Sequence, residues 1–180
     1  LLYCYGECVN GRGRKLMQID EAKTNTISDF LDGKTGRKWI LLMGVPGTGK
    51  TTFMHAMFRS IIFANKRNDL GRCCRMVTAS SLGEMMKNDV EGYKKLKASK
   101  VLFIDDVGFG GECEMVNNYG VKEKPVNDIL EYRYDKMLHT VMTTNLSGEQ
   151  LCDRYGERIY SRLREMCVTI LFTGQDFRKL

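Results

Sequence analysis

Between the apolar run Lys38-Trp39-Ile40-Leu41-Leu42-Met43 and a helical pattern of apolar residues at Phe53, Met54, Met57, Phe58, Ile61 and Ile62, the chain reads Gly44-Val45-Pro46-Gly47-Thr48-Gly49-Lys50-Thr51. That G-x-x-x-x-G-K-T stretch constrains the fold on both sides, because a short buried strand must enter it and a helix must leave it. Glycines allow the tight turn, so successive backbone N–H groups point inward at an anion, and the helix adds the positive end of its dipole. Two fixed glycines followed by Lys and Ser or Thr arise by chance in about one chain of this length in a hundred. With strand and helix in place, the stretch is a Walker A phosphate loop for the β- and γ-phosphates of a nucleoside triphosphate. Gly44, Val45, Pro46, Gly47, Thr48, Gly49, Lys50, Thr51 and Thr52 form the cradle. Lys50 reaches the phosphate oxygens as a mobile charge, and the Thr51 hydroxyl completes the coordination of Mg²⁺.

A second motif supplies the chemistry. Val101-Leu102-Phe103-Ile104-Asp105-Asp106 is four apolar residues ending in two acids, a buried strand that presents carboxylates at its C-terminal edge. This is a Walker B pattern, in which Asp105 holds Mg²⁺ through water and Asp106 accepts a proton from the attacking water or orients it. Many ATPases with this motif carry Glu at the second position, so the shorter Asp implies slow turnover. Thr140-Val141-Met142-Thr143-Thr144-Asn145 reads as a further strand that turns polar at its end. There Asn145 can donate to a γ-phosphate and accept from the attacking water. It could instead cap the next helix, although Ser147 is the better cap.

Elements alternate along the rest of the chain. Thr26-Ile27-Ser28-Asp29 offers a capping box for a short helix that Gly33 can end, after a loose N-terminal segment. Arg75-Met76-Val77-Thr78 reads as a strand, and Ser81-Leu82-Gly83-Glu84 repeats the capping signal before a helix. A charged helical stretch runs from Asp89 to Lys97, and Gly108 to Gly120 is a loop of open shape. Pro125 suits a first helical turn, followed by an apolar stripe of Val126, Ile129, Leu130, Tyr134, Met137 and Leu138, with Arg133 facing outward or toward a neighbour. His139 stands alone and is read as structural.

Composition bounds the partners. A formal charge of +6 and basic residues at Arg12-Gly13-Arg14-Lys15, Lys66-Arg67, Arg72 to Arg75 and Lys94-Lys95-Leu96-Lys97 favour an anionic partner, nucleic acid among them. Such runs are equally the signature of a solvated face. Cysteines at positions 4, 8, 73, 74, 113, 152 and 167 lack paired C-x-x-C spacing, which points to free thiols rather than a disulfide framework or zinc ribbon. No apolar run approaches the roughly 18 residues of a membrane span and no secretory pattern opens the chain, so a cytoplasmic location is expected. The chain begins at Leu1 rather than Met, which leaves room for an upstream part.

Taken in order, GVPGTGKT, VLFIDDVG, RYDKMLHTVMTTNL, YGERIYSRL and the closing FTGQDFR resemble the AAA+ ATPases of the DnaC/DnaI helicase-loader type and the closely similar IstB transposition ATPases. The resemblance covers about residues 36 to 180. It implies an α/β P-loop NTPase fold of the AAA+/ASCE kind, a three-layer sandwich with a five-stranded parallel sheet. It also implies that Asn145 is sensor 1, that Arg158 or Arg162 is an arginine finger serving the adjacent subunit's ATP, and that Arg178 is the sensor 2 arginine. The spacing of Arg158 and Arg162 puts both on one helix face, where the alternative is a solvated helix with Glu157 and Glu165 as partners. The division that follows is an N-terminal segment of residues 1–25, the remnant of a partner-binding region, and an ATPase core of residues 26–180. Implied partners are single-stranded DNA, a replicative helicase or a transposase, and further copies of the chain in an ATP-bound homo-oligomer. A self-contained P-loop phosphotransferase and a nucleotide-gated binding module are the readings from other classes.

Overall fold

A computed structural model describes residues 1–11, 21–64, 74–109, 116–118, 121–174 and 176. Five strands form one all-parallel sheet: β1 (Trp39–Gly44), β2 (Cys74–Thr78), β3 (Val101–Val107), β6 (His139–Thr144) and β7 (Cys167–Phe172), in the order β2-β3-β6-β1-β7. Two short antiparallel strands, β4 (Val116–Asn118) and β5 (Val121–Glu123), pair separately inside and just beyond the loop that begins at Gly108.

Period-2 alternation sorts the core onto two faces. Trp39, Leu41, Leu102, Ile104 and Met142 face one cluster with Leu82 of α4 (Leu82–Asn88), Tyr93 of α5 (Val90–Lys97), Ile129 of α6 (Pro125–Asp135), Leu151 of α7 (Gly148–Tyr155) and Ile159 of α8 (Glu157–Met166). Ile40, Leu42, Phe103 and Val141 face the other, with Tyr5 of α1 (Leu2–Asn10), Ile27 of α2 (Glu21–Leu31) and Phe53 of α3 (Lys50–Ala64). The layers are thus helix, sheet, helix, as the family resemblance implied. The reason lies in the strand order: β1 to β2 runs across the sheet in the direction opposite to every later crossover. Right-handed connections therefore put α3 on one face and α4 to α8 on the other.

Several local expectations are corrected. The segment expected to be loose is helical over Leu2–Asn10 and packs on α3, with the Tyr5 and Phe53 rings edge to face at 5.9 Å. Helix α2 starts at Glu21, so Thr26 lies inside it and donates to the Ala22 carbonyl rather than capping; Gly33 does end the helix, its N–H donating to the Phe30 carbonyl. Before α4 the capping box is not formed, because the Ser81 hydroxyl donates to the Thr78 carbonyl across a turn of 3₁₀ helix. Met137 does not join the α6 stripe; it lies past the helix end at φ +51 and is exposed. Pro125 opens α6 and Ser147 caps α7, as read, and Gln150 completes a capping box there that the sequence reading did not include. The described cysteines, at 4, 8, 74, 152 and 167, are free thiols. No helix among the described residues is long and apolar enough to cross a membrane.

The largest departure is Arg133, expected to face outward and found fully buried. Its Nε donates to Thr140 Oγ1 at 2.9 Å, Nη1 to the carbonyls of Lys97 (2.9 Å) and Ser99 (2.8 Å), and Nη2 to the His139 carbonyl. A planar fork of five donors fits carbonyls converging from three elements, which a lysine could not match. Burial pulls the guanidinium down to about 10, still cationic at neutral pH. Arg133→Met leaves those acceptors without their donor, so urea unfolding should show stability lower by about 2 to 4 kcal/mol. An unchanged midpoint would mean that water replaces the guanidinium at no cost.

Candidate nucleotide site

The phosphate loop leaves β1 at the C-terminal edge of the sheet, where open α/β sheets hold ligands. At Gly44, φ is +153 and a Cβ would run into the Phe172 carbonyl of β7, so the strand can turn there only as glycine. Gly47, at φ +81, packs its bare α-carbon against the carboxylate of Asp176, where a Cβ would also collide. The Thr48 hydroxyl donates to the Val45 carbonyl at 2.8 Å and ties the loop across itself. Lys50 is buried, its Nζ donating to the carbonyls of Gly44 (2.7 Å) and Val45 (2.8 Å), so the amine lies across the loop mouth. Thr52 is buried on the first turn of α3. Val45 and Pro46 form the exposed tip.

The acids reach this loop across an intervening strand, since β6 lies between β1 and β3. Asp105 is buried, and its Oδ1 accepts from the Thr51 hydroxyl at 3.1 Å. A hydroxyl that gives its proton to a carboxylate keeps its lone pairs for a cation. Carboxylate, hydroxyl and phosphate oxygens are the hard donor set that Mg²⁺ takes, so Thr51 and Asp105 fit the ion expected of them. The β3–β6 register slips between Ile104 and Val107, placing both acids in a bulge with Asp106 at φ +55. Bulges commonly re-aim side chains beside active sites, and Asp tolerates the left-handed region better than most residues.

Asn145 follows the end of β6, half-buried. It does not cap α7, since Ser147 accepts from the Gln150 N–H and Gln150 returns the bond to the Ser147 N–H. Two strand threonines that the motif reading passed over bind the site instead. Thr144 donates to the Val107 carbonyl at 2.7 Å, and Thr143 contacts both acids. Adjacent hydroxyls at a strand end, next to the singled-out Asn145, were the available signal. Asp176 was likewise passed over, although it stands in the closing motif.

The two candidate arginines of α8 differ sharply. Arg162 lies over the Tyr134 ring at 4.6 Å, pairs with Glu131 (3.5 Å) and Asp135 (3.9 Å), and leaves only 14% of its side chain in solvent. Arg158 shares Glu131 at 3.5 Å yet keeps 73% of its side chain exposed. The expected partners Glu157 and Glu165 are engaged elsewhere, by the Cys152 thiol and the Tyr134 hydroxyl. Of the basic runs, Lys97 is committed to Asp128 at 2.8 Å and Lys94 to Glu91 at 2.9 Å. Arg178, residues 12–15, 66–67 and 72–73, and 110–115 and 119–120 of the Gly108 to Gly120 loop lie outside the described residues.

Among solved structures, the chain is similar to DnaI, at 23% identity over 91% of this chain and 88% of that one, with a TM-score of 0.61. It is similar to domain III of the replication initiation protein DnaA from Thermotoga maritima, at 16% identity over 91% and 68% of the two chains and a TM-score of 0.62. A third likeness is to the replication initiator DnaA bound to AMPPCP and single-stranded DNA, at 16% identity over 89% and 48% and a TM-score of 0.61. Comparison with curated protein sequences found no match. A family model described as "ATPase family associated with various cellular activities (AAA)" matches residues 40–165. That stretch runs from β1 nearly to the end of α8 and takes in the phosphate loop, both acids, Arg158 and Arg162, and the chain belongs to the AAA family.

Proposed function

We propose that this chain is an ATP-dependent DNA-replication factor of the helicase-loader type, a cytoplasmic protein that binds ATP, hydrolyses it slowly at contacts between copies of itself, and engages single-stranded DNA. The observation that carries the shared site is the division of the sheet. Helix α3, which holds the phosphates, covers one face, while α8 covers the other and keeps Arg158 exposed to solvent. An arginine so placed is better positioned for a neighbour's nucleotide than for its own. In this reading the segment of residues 1–25 meets the helicase, its α1 docked on α3 of the ATPase core of residues 26–180.

Loop N–H groups and Lys50 hold the β- and γ-phosphates, and Thr51 with Asp105 would hold Mg²⁺, which neutralises charge on the transferring phosphoryl group. Asp106 orients the attacking water or takes its proton as the bond to the ADP oxygen breaks, and Asn145 contacts the γ-phosphate. Arg178 is the sensor 2 residue of this scheme. The replication initiator captured with AMPPCP and single-stranded DNA supports DNA as the polymer, as does the charge of +6.

Asp106→Asn tests the reading, since Asn keeps the left-handed conformation while losing the base. The variant should bind ATP as the parent does, turn over at least about 100-fold more slowly, and stay on single-stranded DNA in ATP after the parent has let go. ATP should tighten DNA binding, and salt should weaken it with a slope of about −0.7 per neutralised phosphate. Parental turnover in the variant would remove Asp106 from catalysis. Failure of the parent to bind DNA in ATP at low salt would sink the loader reading.

A further inference from the structure

Thr143 is fully buried on β6, the strand that separates the phosphate-loop strand from the strand of the acids. Its hydroxyl donates to Asp105 Oδ1 at 2.6 Å and accepts from the Asp106 N–H at 2.8 Å. Both bonds have a physical cause. The slip between Ile104 and Val107 takes Asp106 out of the β3–β6 ladder, which leaves its N–H in need of an acceptor. A bond from a hydroxyl to a carboxylate is short and charge-assisted, so the proton goes to Asp105 rather than to a strand carbonyl. One hydroxyl thereby fixes the direction of Asp105 and the left-handed backbone of Asp106.

We infer that Thr143 is a positioning residue for both acids, coupling Mg²⁺ to nucleotide through Asp105 and aligning Asp106, without touching either ligand. The inference rests on the ATPase reading above. It assigns to a strand residue two before Asn145 a role that neither motif contains. Thr51 donates to the same Oδ1, so the carboxylate is held from the phosphate loop on one side and from β6 on the other. Valine at 143 has nearly the same shape and removes both bonds at once; serine keeps them.

The test compares Thr143→Val, Thr143→Ser and Thr140→Val, the last a fully buried hydroxyl on the same strand that serves Arg133. Calorimetry gives the ATP dissociation constant in EDTA and in Mg²⁺, and steady-state assays give turnover and the Mg²⁺ concentration for half-maximal rate. For Thr143→Val, turnover should fall and the Mg²⁺ requirement rise, each by about 10- to 100-fold, with affinity in EDTA close to the parent's. Thr143→Ser should recover both. Thr140→Val should lower the urea midpoint and leave the Mg²⁺ requirement where it was. If Thr143→Val does not fold, Thr143→Ala carries the same readouts with less bulk. A hydroxyl-free variant with the parent's Mg²⁺ dependence and turnover overturns the inference, as does a serine variant no better than valine. A parent that binds ATP without hydrolysing it sinks the ATPase reading alone, because the Mg²⁺ contribution to affinity still tests Thr143. A parent that binds no nucleotide sinks both, and shows it before any variant is made.

Discussion

Lys50→Ala is expected to weaken Mg·ATP binding by at least about 100-fold, a loss near 2.7 kcal/mol, while the protein stays folded. The amine is buried within a loop of backbone donors, where a charge-assisted contact with phosphate oxygens is worth more than in water. Before nucleotide arrives it donates to the Gly44 and Val45 carbonyls, and those bonds are exchanged for phosphate contacts on binding. Losing them should lower the stability of the free protein by only about 1 kcal/mol, since both carbonyls are at the loop mouth within reach of water. Calorimetric titration with Mg·ATP, alongside urea unfolding of the same preparation, separates the two effects. A folded variant with parental affinity would remove the phosphate loop from function.

Arg158 and Arg162 should give the other large effect, and their unequal exposure sets the order expected of them. Arg158→Ala should cut turnover by about 1000-fold with ATP affinity and unfolding midpoint unchanged, because an exposed guanidinium contributes only where a neighbour's phosphoryl charge develops. Arg162→Ala should instead lower stability by about 1 kcal/mol, through loss of the stack on Tyr134 and of the charge that Glu131 and Asp135 face. Mixing gives the decisive comparison. Lys50→Ala keeps its arginines and Arg158→Ala keeps its ATP site, so two inactive proteins should regain part of the activity at mixed contacts. Specific activity of the parent should also rise with protein concentration. Flat specific activity and no recovery in the mixture would end the shared-site scheme and favour a self-contained phosphotransferase. An Arg162→Ala variant that is inactive alone and rescued in the mixture, beside an Arg158→Ala variant with parental turnover, would reverse the ranking.

Much of the fold was legible because its signals are local. A phosphate loop declares itself through glycines that only certain backbone angles require, β1 follows from the short apolar run before it, and α3 from the period of 3.6 after it. Pro125 announces a helix start through its fixed φ and missing N–H, and Ser147 through a bond to the N–H three residues on. Those signals were enough to point to the phosphate loop and the strand of the acids, and to the AAA family that the match over residues 40–165 shows.

Where two local signals competed, sequence alone misjudged the winner: Ser81 turns back to Thr78 although Glu84 stands at the right spacing, and Thr26 lies inside a helix that begins at Glu21. The features that set the chemistry depend on pairs far apart in the chain. Thr143 meets Asp105 across 38 residues, Arg133 meets Lys97 across 36, and the contacts that hold Arg162 in place come from α6. A bulge belongs to two strands in register, so neither β3 nor β6 read singly could show that Asp106 leaves the ladder. The face on which a helix lies follows from strand order, not from its own residues. Residue types and their spacing thus marked the phosphate loop and the acids, whereas packing of the sheet and helices decided which hydroxyl meets the acids and which of Arg158 and Arg162 stays exposed.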